Sequence, residues 1–313
     1  MRAWSTPEIV CKLIPMPYTR TDLVRAAREA GFGDVSDRMV TEWGRLGLLD
    51  TGERVGRKDG RRGAFYTWPD NQYHLFVTLL GKRGDVRHTK ALVVIPVGIW
   101  LYWGDEWAPL RQVRRALLTS VELYGPPASW ERAEANAREV VASLQQDGAP
   151  GEQLSRLHKT LALGLHSGRL DASTLRPLVA QVLKSDGRTG GWGPFGWDVN
   201  QVVDMLRATT LGVRRIATAT DEDLTDARDR LRMAILDYSV SWRRLQELPG
   251  YGSTFERPTI DMVIERSCRD LATQLGMQAL AEEEGRALPR VVVHDWRYPP
   301  LPLLPLRSTL NQP

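Results

Sequence analysis

At 313 residues, 42% hydrophobic and 26% charged, the chain is long enough for two domains and has the composition of an ordinary globular protein, which excludes a disordered or fibrous chain. Its formal net charge is +4, and the excess is local. Residues 1–90 hold sixteen Lys and Arg against eleven Asp and Glu, whereas the remainder holds 26 against 27. A polyanion partner for the N-terminal part fits that asymmetry.

Two cysteines, Cys11 and Cys268, cannot build a disulfide framework, and a reducing cytoplasm is the expected location. The N-terminus lacks a charged segment followed by a sufficient apolar run, so no signal peptide is expected. The most apolar stretch, Ala91 to Trp103, is interrupted by Pro96 and is shorter than the roughly 20 residues a span needs. It reads as a buried connector, and no membrane partner is expected.

In chain order, Thr19 or Thr21 can cap a first helix whose apolar side is Leu23, Val24, Ala27 and Ala30. Gly31-Phe32-Gly33-Asp34 makes a turn, Ser36 caps a second helix, and Val35 can staple onto Val40. Val40, Trp43 and Leu46 form an apolar stripe that leaves Asp37, Arg38, Thr41 and Arg45 on other faces. Gly47 ends this helix and Leu48-Leu49 returns to the core. From Thr51 to Phe65, Arg54, Arg57, Lys58, Arg61 and Arg62 alternate with Gly52, Gly56, Gly60 and Gly63, the composition of a tight basic hairpin suited to phosphates. Thr67 is expected to cap a third helix, with Pro69 in its first turn, running to about Leu80 and broken by Gly81-Lys82-Arg83-Gly84.

The run Val35-Ser36-Asp37-Arg38-Met39-Val40-Thr41-Glu42-Trp43-Gly44-Arg45-Leu46-Gly47-Leu48-Leu49, then the basic loop and Phe65-Tyr66-Thr67-Trp68-Pro69-Asp70, resembles the DNA-binding domain of MerR-type transcriptional regulators. The resemblance covers about residues 18–80, a quarter of the chain. It implies a winged helix-turn-helix with the helix that starts at Ser36 in the major groove, Ser36 and Arg38 as DNA contacts, and Tyr66 as the tyrosine that ends the wing. Thr41 stands where the family has an arginine, Glu42 and Trp43 where it has paired tyrosines, and Ala64-Phe65 where it has a wing arginine, for which Arg61 and Arg62 can substitute. A carboxylate at Glu42 would repel phosphate if it pointed at DNA. The family's long dimerisation helix is not evident after the domain, and its metal-sensing cysteine cluster is absent.

From about Ala108 the pattern is helical. Leu110, Val113, Leu117, Val121 and Tyr124 share a stripe, and Ser129 can cap a helix to about Gln146. Further helices are expected at 152–167, 172–184, 198–216, 221–248 and 258–284, with Thr220-Asp221-Glu222-Asp223 a strong start signal. Ser185 to Trp197 reads as a Gly-rich loop, Val291-Val292-Val293 as a short strand, and the Pro-rich end as extended. The chain has eleven tryptophans; Trp100, Trp103 and Trp107 surround Tyr102, and Trp103, Asp105 and Trp107 are the candidates for a ligand pocket beside the alternative of plain packing.

No nucleotide-binding, nucleophile-elbow or zinc-protease motif occurs, and His74, His88, His158, His166 and His294 are isolated. The reading is therefore a mainly α protein, not an enzyme, with neither cofactor nor metal. Residues 1–84 are a MerR-like winged-helix domain, 85–107 a connector, 108–290 a helical domain and 291–313 an extended tail. It would bind double-stranded DNA as a transcriptional regulator through Ser36, Arg38, Thr41, Arg45, Arg54, Arg57, Lys58, Arg61, Arg62 and Tyr66. The helical domain would form a homodimer, bind a small-molecule effector, or both. Two alternatives stand beside it: an excisionase-like architectural factor, and a helical ligand-binding protein or enzyme with a non-functional helix-turn-helix.

Overall fold

A computed structural model describes residues 17–56, 64–124, 129–144, 151–183, 198–246 and 260–288. The described residues are mainly helical, with eleven α-helices and one small sheet.

The N-terminal elements are β1 (Tyr18–Thr19), α1 (Arg20–Glu29), α2 (Asp37–Leu46), β2 (Glu53–Gly56), β3 (Ala64–Trp68) and α3 (Asp70–Lys82). Thr19 starts α1 through a reciprocal cap. The Asp22 N–H donates to Thr19 Oγ1, and the Thr19 N–H donates to Asp22 Oδ2 at 3.0 Å. Two orphan donors are thereby satisfied and a carboxylate sits at the positive helix end. The strands form an antiparallel sheet in the order β1-β3-β2, with Tyr18 opposite Trp68 and Arg54 opposite Tyr66.

One expectation for α3 is corrected. Thr67 does not cap it: β3 continues to Trp68, so Thr67 is a buried strand residue paired with Thr19 and Glu53. Pro69 takes the cap position without a side-chain bond, which its absent N–H and fixed φ allow. The α-helix ends at Lys82, inside the Gly81-Lys82-Arg83-Gly84 segment expected to break it, and passes into a 3-10 turn at Arg83–Asp85.

After a 3-10 turn at Thr89–Val93, the apolar stretch is α4 (Val94–Trp103), which is helical and buried on almost every side. Such a helix belongs in a core. Pro96 lies in its first turn, where its missing N–H has no intrahelical acceptor to lose. Gly98 lets α4 approach a distant helix closely: a Cβ there would lie 2.8 Å from Ile264 Cγ1.

The remaining helices are α5 (Leu110–Tyr124), α6 (Trp130–Leu144), α7 (Gly151–Ser167), α8 (Ala172–Leu183), α9 (Val199–Arg215), α10 (Asp221–Gln246) and α11 (Ile260–Glu283). Ser129 accepts from the Arg132 N–H at the start of α6, and Thr220 forms a reciprocal cap with Asp223 at the start of α10. The Gly-rich loop, the Val291-Val292-Val293 strand and the Pro-rich end lie outside the described residues.

Two hydrophobic clusters organise the packing. The larger joins Leu23, Val40, Trp43, Leu49 and Phe76 to Trp100 and Leu117, and onward to Leu224, Leu271 and Leu275. It crosses residues 84 and 108, where the sequence reading divides the chain. The smaller holds α6, α7 and α8 against the first half of α9 through Val141, Leu157, Leu161, Val179 and Val202. Burying a side chain such as Phe76 stabilises by about 2–3 kcal/mol before chain entropy is subtracted.

Candidate nucleic-acid interface

The site is built on α2. Ser36 Oγ accepts from the Met39 N–H at 3.4 Å, Asp37 occupies the first turn, and Gly47 closes the helix at φ 78°, a left-handed conformation that a side chain would strain. Val40, Trp43 and Leu46 are buried, and the Trp43 ring meets Phe76 edge-on at 5.4 Å. That leaves Arg38, Thr41, Glu42 and Arg45 exposed at i, i+3, i+4 and i+7, one stripe along the opposite face.

This helix is tied to α5 from behind. Arg115 Nε donates to the Gly44 carbonyl at 3.1 Å and Thr119 Oγ1 to the Leu46 carbonyl at 3.0 Å. A side chain at Gly47 would strike the Ala116 backbone, so α2 and α5 touch main chain to main chain at that point.

On the exposed stripe, Arg38 has no ion-pair partner among the described residues. Thr41 Oγ1 donates to the Asp37 carbonyl at 3.0 Å. Arg45 is engaged side-on by Glu42: Nε donates to Oε2 at 3.0 Å and Nη2 to Oε1 at 2.7 Å. The Arg45 hydrogen bonds, aided by the charges of Arg45, Lys90 and Arg38, hold the Glu42 carboxyl below the usual carboxylate range. Lys90 itself pairs with Glu122 at 2.8 Å beside this face.

The β2–β3 hairpin stands where the sequence reading expects a wing. Arg54 and Tyr66 face each other across it and both are exposed, as is Phe65, opposite Val55. Arg57, Lys58, Arg61 and Arg62 lie outside the described residues. At the base, Trp68 is buried and its Nε1 donates to the Asp50 carbonyl at 2.8 Å.

Behind α2 lies a buried polar network that the sequence does not announce. The Asp50 N–H donates to Gln72 Oε1 at 2.8 Å, Gln72 Nε2 to Gln112 Oε1 at 2.8 Å, and Gln112 Nε2 to the Leu48 carbonyl at 2.9 Å. The Asp50 carboxylate, only 5% exposed, accepts from Arg111 Nε at 3.0 Å and Arg115 Nη2 at 3.1 Å. Burial by itself pushes this carboxyl up, but the Arg111 bonds and charge, the Thr51 backbone and Arg115 together bring it below the ordinary range. Asp50 follows an apolar pair and precedes Thr51-Gly52, so in sequence it looks like a turn residue, and only Arg111 and Arg115 at helical spacing hint at a partner. Outside this network, a cleft of about 370 Å³ opens between the base of the β2–β3 hairpin, the start of α3 and the segment before α5, lined in part by Glu53, Asp70, Asn71, Glu106 and Arg111.

The ligand candidates do not share one environment. Trp107 is exposed, Trp103 is half-buried with its ring 5.6 Å from Tyr102, and Asp105 accepts from Trp100 Nε1 at 2.7 Å. The indole of Trp100 is fully buried beneath Arg228, whose guanidinium carbon lies 4.7 Å from the ring centroid. Among the described residues no group of three or more His, Cys, Asp or Glu could hold a metal. His158 bonds the Glu134 carbonyl, His166 packs edge-on against Trp130, and His74 pairs with Asp70. Cys268 is buried and unbridged, and burial pushes its thiol up to about 12. Among the described residues no helix is long and apolar enough to cross a membrane.

Comparisons with protein-family models, with curated proteins and with solved structures find no match.

Proposed function

We propose that the chain is a sequence-specific DNA-binding transcriptional regulator that reads the major groove with α2 and grips the adjacent backbone with the basic wing. One observation carries this reading. The exposed stripe Arg38–Thr41–Glu42–Arg45 lies opposite a fully buried stripe on a capped helix, ahead of an antiparallel hairpin that leads into the basic loop. Helix-turn-helix readers need that order of parts, with base-edge contacts from one helix and phosphate contacts from a neighbouring hairpin. The MerR-like residues Ser36, Arg38 and Tyr66, and the excess cations of residues 1–90, support the same conclusion.

In this reading Arg54, Arg57, Lys58, Arg61 and Arg62 contact phosphates, and the helical body supplies dimerisation, effector binding or both. A dimer would select an inverted repeat.

The test is fluorescence anisotropy on duplexes from the gene's own upstream region across a salt titration. The wild type should bind one duplex tightly, with affinity falling steeply as salt rises. An Arg57/Arg61/Arg62→Ala variant should lose affinity for all duplexes alike and flatten the salt slope by about 3. Equal weak binding to every duplex would favour an architectural role, and absence of binding by folded protein at moderate salt would refute DNA recognition.

A further inference from the structure

We infer that Glu42 is a positioning residue that presents Arg45 to a single guanine in the major groove; the inference rests on the DNA-binding reading above. A carboxylate in the middle of a helix face meant for DNA is otherwise a liability, because it repels phosphate. Its geometry gives it another task.

Glu42 grips Arg45 from the side, with Oε2 on Nε–H at 3.0 Å and Oε1 on Nη2–H at 2.7 Å. A guanidinium carries five N–H donors in a fixed plane. The side-on pair consumes one on Nε and one on Nη2. The end-on edge keeps two parallel donors, one on each Nη, and that fork matches the O6 and N7 acceptors of guanine. Arg45 therefore stands oriented before any base arrives. A free arginine would have to give up rotamer freedom on binding, and the pair with Glu42 removes part of that cost.

The backbone beneath the pair is tied to α5 on both sides of Arg45. Gly44 and Leu46, on either side of Arg45, are tied through their carbonyls to Arg115 and Thr119, and Gly47 abuts Ala116. A readout group on a rigid helix with a second residue fixing its rotamer is the arrangement that discriminates between bases. The negative charge also lowers affinity for DNA in general. Glu42 thus works against wrong sites as well as for the right one.

The experiment is selection of bound sequences from a randomised duplex pool, followed by anisotropy on the selected site and on a random duplex. It uses wild type, Glu42→Ala, Glu42→Gln, Arg45→Ala and Arg45→Lys, each checked for unchanged circular dichroism. The wild type should require guanine at one position of each site, with other bases weakened roughly ten- to hundred-fold. Arg45→Ala and Arg45→Lys should lose that requirement and keep the others. Glu42→Ala should lose most of it while binding the random duplex as tightly as wild type or tighter, and Glu42→Gln, which keeps one acceptor, should fall between. Retention of the same guanine by Arg45→Ala would overturn the inference. So would a Glu42→Ala protein that binds every duplex more tightly with its preferences unchanged, since Glu42 would then be a repulsive charge only. A wild type that binds but selects no sequence would also overturn it, whereas one that binds no DNA would sink the regulator reading and this inference together.

Discussion

Asp50 and Arg111, sixty-one residues apart in the chain, form an ion pair in which the carboxylate is buried and the guanidinium reaches solvent. With Arg115 on the same carboxylate, the pair fastens the segment after α2 to α5 and so sets where the exposed stripe of α2 stands relative to the helical body. Asp50→Asn keeps the shape but leaves a partly buried Arg115 without its counter-charge. Breaking a fully buried pair costs about 3–5 kcal/mol. Because Arg111 can rehydrate, the expected loss is about 2–3 kcal/mol, read from urea denaturation.

The same carboxyl predicts a pH dependence. Its folded value lies below its ordinary one, so its stabilisation is complete above the ordinary carboxylate range, near pH 4. It is lost as pH falls through the folded value. The wild type should therefore lose stability more steeply than Asp50→Asn below about pH 4, with parallel curves between pH 6 and 8. Equal acid limbs in the two proteins would contradict the assignment.

Two helical glycines should respond to alanine with opposite signs. A Cβ on Gly212 in α9 would collide with the Ala272 carbonyl of α11, and one on Gly276 with the Ala208 carbonyl, so these backbones are in direct contact. Gly212→Ala should destabilise by about 1–3 kcal/mol as the helices are forced apart. Gly81 in α3 faces open space, and Gly81→Ala should gain a few tenths to about 1 kcal/mol from helix propensity. Thermal melts of the two variants would compare them directly.

The cap of α10 offers a coupling measurement. Thr220 and Asp223 exchange hydrogen bonds, and Asp223 also accepts from Gln278 of α11 at 2.9 Å. Thr220→Ala should cost about 1 kcal/mol and Asp223→Ala somewhat more. The double variant should cost less than their sum, because both remove the same cap. Strict additivity in a double-mutant cycle would mean the cap contributes nothing as a unit.

An Arg38→Ala variant tests the proposed binding apart from folding. Arg38 is exposed, and its loss should leave the melting temperature within about a degree while weakening the selected duplex ten-fold or more. A variant that binds normally would remove Arg38 from the interface.

The local features were legible in the sequence because neighbouring residues decide them. Thr19 with Asp22, Ser36 and Gly47 mark helix ends through bonds spanning three or four residues. The period of Val40, Trp43 and Leu46 told which face of α2 turns inward, and by subtraction which face carries Arg38, Thr41 and Arg45. The Thr67 cap failed where strand pairing with Thr19 and Glu53 outweighed a local preference.

Tertiary structure alone decided how those pieces join. Nothing near Asp50 announces Arg111, nothing near Gln72 announces Gln112, and Gly98 gives no sign of Ile264. The same holds for the larger core, which runs from Leu23 to Leu275 without regard to the divisions that composition suggests. Caps and helical faces depend on groups a turn apart, which the order of residues specifies. The clamp on α2 and the contact of α9 with α11 depend on which distant surfaces fit when apolar area is buried and every buried polar group must find a partner, and only the folded chain satisfies both demands at once.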